Sequence, residues 1–318
     1  MQENTQYLQV TVDKSHLITI GEKLYAESIE LIRELVNNAY DADATEVKVT
    51  ITPEKISVED NGLGMDLAGL EQYFNIGSPE KKIHPKSPKF GRDRIGQFGI
   101  GKFATLSACG RFEIYTQSGD FAARVIFDKE EWEKTGDQWR LPLEILPPDL
   151  KYGDGTTVTL SKLTRSFDSV EVERKLLESV PIKAPHLAVY LNEKKLISQR
   201  LPGHRLPFLE GTPYGVIHGE IIVLPATQAS TENLGIECKV KGATIRRELF
   251  GMESWGKSVT RIRGEVNADF LPITTDRTGF ITDTSEYAVF MEVMGKVMED
   301  VREALGRIIG EKETKKVR

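Results

Sequence analysis

The sequence is poor in cysteine and has no long apolar run. Its two cysteines, Cys109 and Cys238, have no C-x-x-C pair or histidine spacing beside them, so a zinc site is not expected and buried free thiols are the favoured interpretation. No apolar stretch is long enough to span a membrane. The first residues, MQENTQYLQV, lack the basic flank and apolar core of a secretion signal. We therefore expect a cytoplasmic protein with no membrane partner.

The composition excludes disordered and fibrous classes. The chain of 318 residues is 39% hydrophobic and 28% charged, as in an ordinary globular protein. Its net charge of −6 argues against a nucleic-acid coat but leaves room for local basic patches. The length favours two domains, and we expect them at residues 1–165 and 166–318.

A hydroxyl is missing where a phosphate loop requires one. The stretch RIGQFGIGKFATL contains G-x-x-x-x-G-K from Gly96 to Lys102, but Phe103 follows where Ser or Thr normally binds Mg²⁺. The preceding residues 78–93, SPEKKIHPKSPKFGRD, are rich in Lys and Pro and predict a mobile loop instead of the usual hydrophobic strand. A metal ligand must therefore come from elsewhere.

Periodicity predicts an α+β protein. Apolar residues at helical spacing predict a helix over 21–41, a short helix over 67–74, a helix that starts near Gly99, and a long final helix over 285–309. Alternation predicts a hairpin that ends at Asp60, and first-domain strands over 112–117, 121–127 and 155–163. The second domain is expected to contain a short helix over 170–181 and four strands, over 186–197, 215–226, 235–248 and 258–270.

The first helix carries a polar stripe. Glu34 and Asn38 are four residues apart and share one face, and Asp41 follows one turn later. Any two of these polar residues alone are compatible with the solvent-facing side of an amphipathic helix. The apolar neighbours Leu31 and Leu35 favour a functional face instead, because asparagine is a poor residue inside a helix unless its side chain has a task.

Two further motifs follow. EDNGLGMD places Asp60, Gly62 and Gly64 in a D-x-G-x-G pattern, which alone is typical of a turn. The same glycines would let backbone approach a flat ligand, and the aspartate could accept hydrogen bonds from an exocyclic amine. The tripeptide 155–157, GTT, opens a late strand and is uninformative by itself.

The order of these motifs resembles the GHKL ATPase superfamily, which includes type II topoisomerases, ninety-kilodalton heat-shock chaperones, sensor histidine kinases and MutL-type repair proteins. The resemblance covers residues 34–157. It implies a two-layer α/β sandwich with a mixed sheet that holds ATP beneath a lid, followed by a smaller α+β domain of the transducer or middle type.

The resemblance also implies roles for single residues. Asn38 would bind Mg²⁺, Asp60 would read the adenine amine, and Thr156 or Thr157 would support Asp60. The lid glycines Gly96, Gly99 and Gly101 would offer N–H groups to phosphate. The remaining expected nucleotide contacts are Asp41, Gly62, Gly64, Met65, Lys81, Gln97, Phe98, Ile100 and Lys102.

Two residues are expected to be catalytic. Glu34 stands where the hydrolysing branches carry the carboxylate that polarises water, whereas sensor kinases need a histidine-bearing helical domain that does not precede these motifs. ADFLPITTDRTGF resembles a chaperone segment whose arginine, here Arg277, reaches the γ-phosphate. A plain turn in which Asp276 pairs with Arg277 is an equally open interpretation.

These observations predict a Mg²⁺-dependent ATPase, chaperone-like or MORC-like, whose lid over about 76–100 closes on ATP. We expect an ATP-dependent homodimer that exchanges residues before Val12, and a protein or DNA partner. The alternative is a nucleotide-switched clamp with little or no turnover, in DNA repair or phage defence. Since the chain ends at residue 318, it is either part of a longer protein or a minimal ATPase.

Overall fold

The structure is a computed structural model. It describes residues 29–75, 83–95, 108–134, 140–151, 153–198 and 201–316. The chain divides into two compact units: the first comprises Met1–Lys175 and Pro185–Leu196, and the second comprises Leu176–Ala184 and Ile197–Arg318. Among the described residues, no helix is both long and apolar enough to cross a bilayer.

The first unit is built on an eight-stranded sheet. The strands are β1 (Glu46–Ile51), β2 (Lys55–Asp60), β3 (Cys109–Ser118), β4 (Phe121–Asp128), β5 (Leu143–Leu146), β6 (Gly155–Leu163), β7 (Ala188–Leu191) and β8 (Lys194–Lys195). They are arranged in the order β5-β4-β3-β6-β2-β1-β7-β8. All neighbours are antiparallel except β1 and β7, which are parallel. The mixed sheet expected from the sequence is therefore confirmed.

The described helices of this unit are α1 (Glu30–Asp41), α2 (Leu67–Phe74) and α3 (Lys129–Lys134), and α4 (Ser169–Ser179) begins in it and ends in the second unit. Helix α1 lies against β2 and is buried along its whole length except at Asn38. Its apolar residues Leu31, Ile32, Leu35 and Val36 are almost fully buried, as are Val47, Ile56 and Val58 of the sheet. Burial of this apolar face is what fixes the helix on the sheet.

The second unit is a five-stranded sheet with one long helix. The strands are β9 (His204–Thr212), β10 (Gly215–Val223), β11 (Gly235–Val240), β12 (Ala243–Glu248) and β13 (Ile262–Asn267), in the order β12-β11-β13-β10-β9. Helix α5 (Ser285–Lys316) contributes Phe290, Met294, Val301 and Leu305 to a core shared with Ile217, Ile221, Ile236 and Val266. This α+β organisation agrees with the expected fold class.

Most expected elements of the described regions are confirmed, and the exceptions follow from local chemistry. Residues 186–197 were expected to form one strand of the second domain, but they form the β7–β8 hairpin of the first sheet, beyond the domain boundary expected at residue 165. Residues 235–248 were expected to form one strand, but a turn at Lys241 and Gly242, both with positive φ, divides them into β11 and β12. Strands β5 and β9 were not expected.

The loop expected over residues 78–93 is folded where the structure describes it. Residues 83–95 form a folded turn, closed by hydrogen bonds from the Ser87 N–H to the Arg92 carbonyl (2.9 Å) and from the Arg94 N–H to the Pro85 carbonyl (2.8 Å). Composition suggested mobility because the segment is basic and contains Pro and Gly. The fold of the segment depends on which backbone groups are hydrogen-bonded, and composition does not reveal this.

Candidate functional site

Asp60 lies at the end of β2, and backbone groups hold its carboxylate. The Gly62 N–H donates to Asp60 Oδ1 at 2.8 Å, and the Thr156 N–H on the neighbouring strand β6 also donates to this carboxylate. Burial raises the pKa of Asp60 from 3.8 to about 6, and these two hydrogen bonds only partly oppose the rise. The site therefore contains a fixed carboxylate whose charge changes close to neutral pH.

Glycine is required beside this carboxylate. A Cβ on Gly62 would lie 2.7 Å from the Ala42 carbonyl oxygen and 2.9 Å from Asp60 Oδ1. Gly64 has a φ of +62°, and a Cβ there would lie 1.8 Å from the Gln117 carbonyl oxygen. On β6, a Cβ on Gly155 would approach the Asp60 carbonyl oxygen to 2.1 Å. The backbone around Gly62, Gly64 and Gly155 thus packs so closely that no residue with a Cβ atom fits at these positions.

Thr116 on β3 connects these segments, and the sequence analysis missed it. Its buried Oγ accepts the Met65 N–H at 2.8 Å and lies 3.2 Å from Thr156 Oγ and 3.3 Å from the Gly155 carbonyl oxygen. Alternation along β3 carried the signal, since Phe112, Ile114 and Thr116 are all buried and only Thr116 is polar. A lone polar residue on the buried side of a strand has a hydrogen-bonding task.

Strand register distinguishes the two threonines of the GTT motif. Thr156 pairs with Asp60 on β2, whereas Thr157 pairs with Glu59. Successive residues of a strand point to opposite faces of the sheet. Thr156 is therefore the one that contacts both Asp60 and Thr116, which leaves the supporting role at Thr156.

Helix α1 carries a second group of candidate site residues, Glu34, Asn38 and Asp41. Glu34 and Asp41 are 8% and 3% exposed, and Asn38 between them is half-buried. The Asp41 carboxylate accepts the Ile95 N–H at 2.7 Å, which attaches the residue before Gly96 to the helix. The plain interpretation of a solvent-facing stripe does not hold for Glu34 and Asp41, because both are buried.

Tyr73 of α2 lies near Glu34. Burial raises the pKa of the Tyr73 phenol, and the neighbouring Glu34 carboxylate raises it further. The sequence analysis did not select Tyr73, since one aromatic residue on a short apolar helix is ordinary. Helices α1 and α2 thus place a phenol beside the carboxylate that was expected to act on water.

Arg277 belongs to the second unit. It is buried, has a φ of +57°, and lies in a turn closed by the Arg277 N–H on the Thr274 carbonyl at 3.0 Å. Burial tends to raise the pKa of the adjacent Asp276, but hydrogen bonds from Thr274 and Thr278 outweigh it and hold that pKa below its usual value. The turn is therefore well fixed, while contact of Arg277 with a phosphate stays a prediction.

Comparison with known proteins decides the family. Residues 26–151, which contain α1, β1, β2, α2 and the Asp60 motif, match the family of histidine kinase-, DNA gyrase B- and HSP90-like ATPases. Over these residues the chain belongs to the GHKL superfamily. The resemblance stated from the motifs is thus confirmed, and the matched region is called the GHKL domain below.

Three curated relatives are similar to parts of this chain. A protein of Herpetosiphon aurantiacus named "Putative type II restriction enzyme HgiDII" is 28% identical over 48% of this chain and 25% of its own length. The chaperone protein HtpG of Oceanobacillus iheyensis is 29% identical over 43% of this chain and 24% of its own length. The mismatch repair protein MutL of Heliobacterium modesticaldum is 26% identical over 74% of this chain and 37% of its own length. The chain therefore spans about a quarter to a third of these relatives' length.

The described residues fit a nucleotide and a hard cation. The Asp60 carboxylate is an acceptor that backbone N–H groups hold in place, which suits a base with an amine. The amide of Asn38 and the carboxylate of Asp41 offer oxygen atoms, the ligand type that Mg²⁺ prefers. Both groups of residues belong to the first unit.

Several expected contacts lie outside the described residues. These are Lys81, Gly96, Gln97, Phe98, Gly99, Ile100, Gly101 and Lys102, and also the helix expected to start near Gly99. The expected exchange segment before Val12 lies outside them as well. The roles of all of these stay predictions.

Proposed function

We propose that the GHKL domain binds ATP with Mg²⁺ and hydrolyses it to ADP and phosphate. One observation carries the proposal: two backbone N–H groups fix the Asp60 carboxylate at a point where glycines let three backbone segments pack closely together. Membership of an ATPase superfamily supports it. Because the chain covers only part of its relatives, the activity is proposed for this domain and not taken from them.

Asp60 would recognise the adenine. Its carboxylate accepts hydrogen bonds only, so it fits an exocyclic amine and rejects a base that presents a carbonyl there. Gly62 and Gly64 would keep the backbone closely packed beside this carboxylate, and Thr116 would keep the Gly64–Met65 segment in place through the Met65 N–H. This arrangement favours adenine over guanine nucleotides.

Asn38 would hold the metal, with Asp41 beside it. Bound Mg²⁺ neutralises charge on phosphate oxygens. The Asn38 side chain is half-buried one turn before the end of α1, so its oxygen can be offered without complete loss of contact with water. Asp41, which accepts the Ile95 N–H, would orient the backbone that leads to the lid motif.

Glu34 would act as general base on the attacking water. A general base must lie within hydrogen-bond reach of the water and be ionised at the working pH. Glu34 is buried one helical turn before Asn38, and Tyr73 lies near it. A phenol in this position can donate to the carboxylate and fix its orientation, which is the support a positioned base needs.

The test is an ATPase assay with Glu34→Ala. We expect hydrolysis to fall at least about a hundredfold while ATP affinity stays within a factor of about two, since the base acts on water and not on bound nucleotide. Glu71→Ala is the matched control, because Glu71 is an exposed carboxylate on α2. Wild-type turnover in Glu34→Ala would remove Glu34 from the mechanism.

A second candidate is a nucleotide-switched clamp with little or no turnover, in DNA repair or phage defence. The observation that favours it is the MutL relative, whose match covers 74% of this chain and so extends beyond the GHKL domain. In both candidates ATP would close the lid and join two protomers, since only a triphosphate offers a γ-phosphate with differential affinity for the closed state. A cytoplasmic location and a DNA or protein partner also remain proposals.

Light scattering, which measures the mass of the protein in solution, distinguishes these two candidates when it is combined with the ATPase assay. We expect a doubled mass with a non-hydrolysable ATP analogue and a monomer with ADP. Arg277→Ala should reduce the dimer if Arg277 reads the γ-phosphate, and Arg302→Ala, an exposed arginine on α5, is the control. Dimer formation without wild-type hydrolysis would favour the clamp, and a monomer in every condition would reject dimerisation for both candidates.

A further inference from the structure

The turn over residues 87–92 is bound to the residues that follow helix α1. The carboxylate of Asp43 accepts three hydrogen bonds from it: from Ser87 Oγ at 2.5 Å, from the Lys89 N–H at 2.7 Å and from the Phe90 N–H at 3.2 Å. Asp43 is buried and has a φ of +61°. A buried carboxylate that accepts three hydrogen bonds is a specific structural contact, unlike a solvent-exposed ion pair.

Arg92, at the end of this turn, is buried against three carbonyl groups. Its guanidinium donates to the Tyr40 carbonyl at 3.1 Å, to the Ala44 carbonyl at 2.8 Å and to the His186 carbonyl at 3.0 Å. The aromatic rings of Tyr40 and Phe90 lie 4.7 and 4.8 Å from the guanidinium carbon. Arg92 therefore joins three segments that are distant in sequence.

The Tyr40 carbonyl belongs to the last turn of helix α1. The last four carbonyls of an α-helix have no partner within the helix, and a positive charge near them is favourable. The Tyr40 carbonyl accepts the Asp43 N–H at 3.1 Å, and Arg92 donates a second hydrogen bond to it. Helix α1 has no basic residue in its own last turn. Arg92 supplies that charge and a hydrogen bond from 52 residues away.

The same end of α1 carries the groups assigned to metal and phosphate. Asn38 and Asp41 are in its last turn, and Asp41 accepts the N–H of Ile95, three residues after Arg92. We propose that Arg92 is a positioning residue for the metal and phosphate end of the site, because it fixes the end of the helix that carries Asn38 and Asp41. This assignment rests on the proposed function of the GHKL domain.

The assignment separates Arg92 from a residue that only stabilises the fold. A purely structural arginine would lower the melting temperature and leave the relative affinities for different ligands unchanged. A positioning residue at one end of the site should weaken the binding of Mg²⁺–ATP and spare adenosine, which has no phosphate and depends on the Asp60 end alone.

The experiment compares Arg92→Lys with Lys86→Ala. Lysine keeps the charge but cannot reproduce the planar fork that reaches three carbonyls. Lys86 is an exposed residue immediately before this turn, paired with Asp93 at 2.7 Å, and serves as the control. Calorimetry measures Mg²⁺–ATP and adenosine affinities, and hydrogen exchange in ligand-free protein monitors the amides of residues 42–44 and 95.

We expect Arg92→Lys to weaken Mg²⁺–ATP binding about tenfold or more, as for other residues that orient metal ligands, to change adenosine affinity less than about twofold, and to speed exchange at the monitored amides. Lys86→Ala should match wild type. Equal Mg²⁺–ATP affinity in Arg92→Lys and wild type, or an equal loss for adenosine, overturns the assignment. A wild type that binds neither ligand refutes the proposed function itself, and the assignment falls with it.

Asp43→Asn is the second variant, in case Arg92→Lys fails to fold. Asparagine also adopts positive φ readily, so the backbone at residue 43 is kept while the acceptor for the Lys89 N–H is replaced by a donor. The same selective loss of Mg²⁺–ATP affinity is expected. Loss of affinity for both ligands would contradict the assignment.

Discussion

The two ends of the candidate site are held by different kinds of interaction. At the Asp60 end, neighbouring strands fix the carboxylate, the glycines and Thr116 through short backbone contacts. At the Asn38 end, the terminus of helix α1 is joined to the 87–92 turn by two side chains, Arg92 from the turn and Asp43 from the residues that follow the helix. The sheet end should therefore be rigid and intolerant of added atoms, whereas the helix end should depend on a few replaceable hydrogen bonds.

The sharpest contrast is expected from an added methyl group at the sheet end. Gly64→Ala places a Cβ 1.8 Å from the Gln117 carbonyl oxygen at a φ of +62°, so we expect about 3 kcal/mol or more of lost stability from the clash and the backbone strain. Gly119→Ala is the control, because Gly119 has a φ of +57° but nothing within 4 Å of its Cβ position. It should cost about 1–2 kcal/mol.

Urea unfolding of the two variants measures the difference. Equal destabilisation of Gly64→Ala and Gly119→Ala would show that the sheet end can move apart to accept a methyl group. The rigidity assigned to this end would then be wrong.

The next effect is a pH dependence that belongs to the Asp60 end. Because burial raises the pKa of Asp60 to about 6, the carboxylate loses its charge between pH 7 and 5, and adenosine affinity should fall about tenfold over that range. Adenosine is the probe because it has no phosphate to titrate. A flat calorimetric profile over this range would show that the charge of Asp60 is not used.

The raised pKa of Asp60 also makes the stability of the ligand-free protein depend on pH. The folded state holds the proton more tightly than the unfolded state, whose aspartate titrates near 3.8. The stabilising contribution of Asp60 is therefore fully present below pH 3.8 and is lost as the pH rises through about 6. Asp60→Asn should remove this dependence from the melting temperature.

The smallest effect is expected at Thr116. Thr116→Val removes the acceptor of the Met65 N–H and leaves a buried donor without its partner, which costs about 1–3 kcal/mol of stability. ATP affinity should fall about three- to tenfold, because the Gly64–Met65 segment loosens. Thr50→Val, on the exposed side of β1, is the control. Unchanged affinity in Thr116→Val would mean that the glycines alone hold this segment.

Sequence reasoning found the residues that carry local patterns. Helix α1, the β1–β2 hairpin, strand β6 and the Asp60 motif follow from helical spacing, alternation and turn chemistry. The family followed from the order of the motifs, since each is weak alone. The same reasoning could place Glu34 and Asn38 on one face but could not show that Glu34 is buried.

What it missed depends on contacts between distant residues. Arg92 and Asp43 lie in ordinary polar sequence, and only the folded chain shows that one reaches Tyr40 and the other reaches Ser87. Strand β9 contains Pro207 and lies at a sheet edge, where a strand needs fewer hydrogen bonds. The β11–β12 turn begins with Lys241, whereas Asn or Asp is the usual signal.

ATP binding at the Asp60 end is the central claim, and calorimetry with Mg²⁺–ATP tests it most directly. We expect the wild type to bind and Asp60→Asn to bind roughly a hundredfold more weakly, because a buried acceptor is replaced by a group that also donates. Circular dichroism would confirm that the variant is folded. A wild type that does not bind, or a folded Asp60→Asn variant with wild-type affinity, would contradict the account.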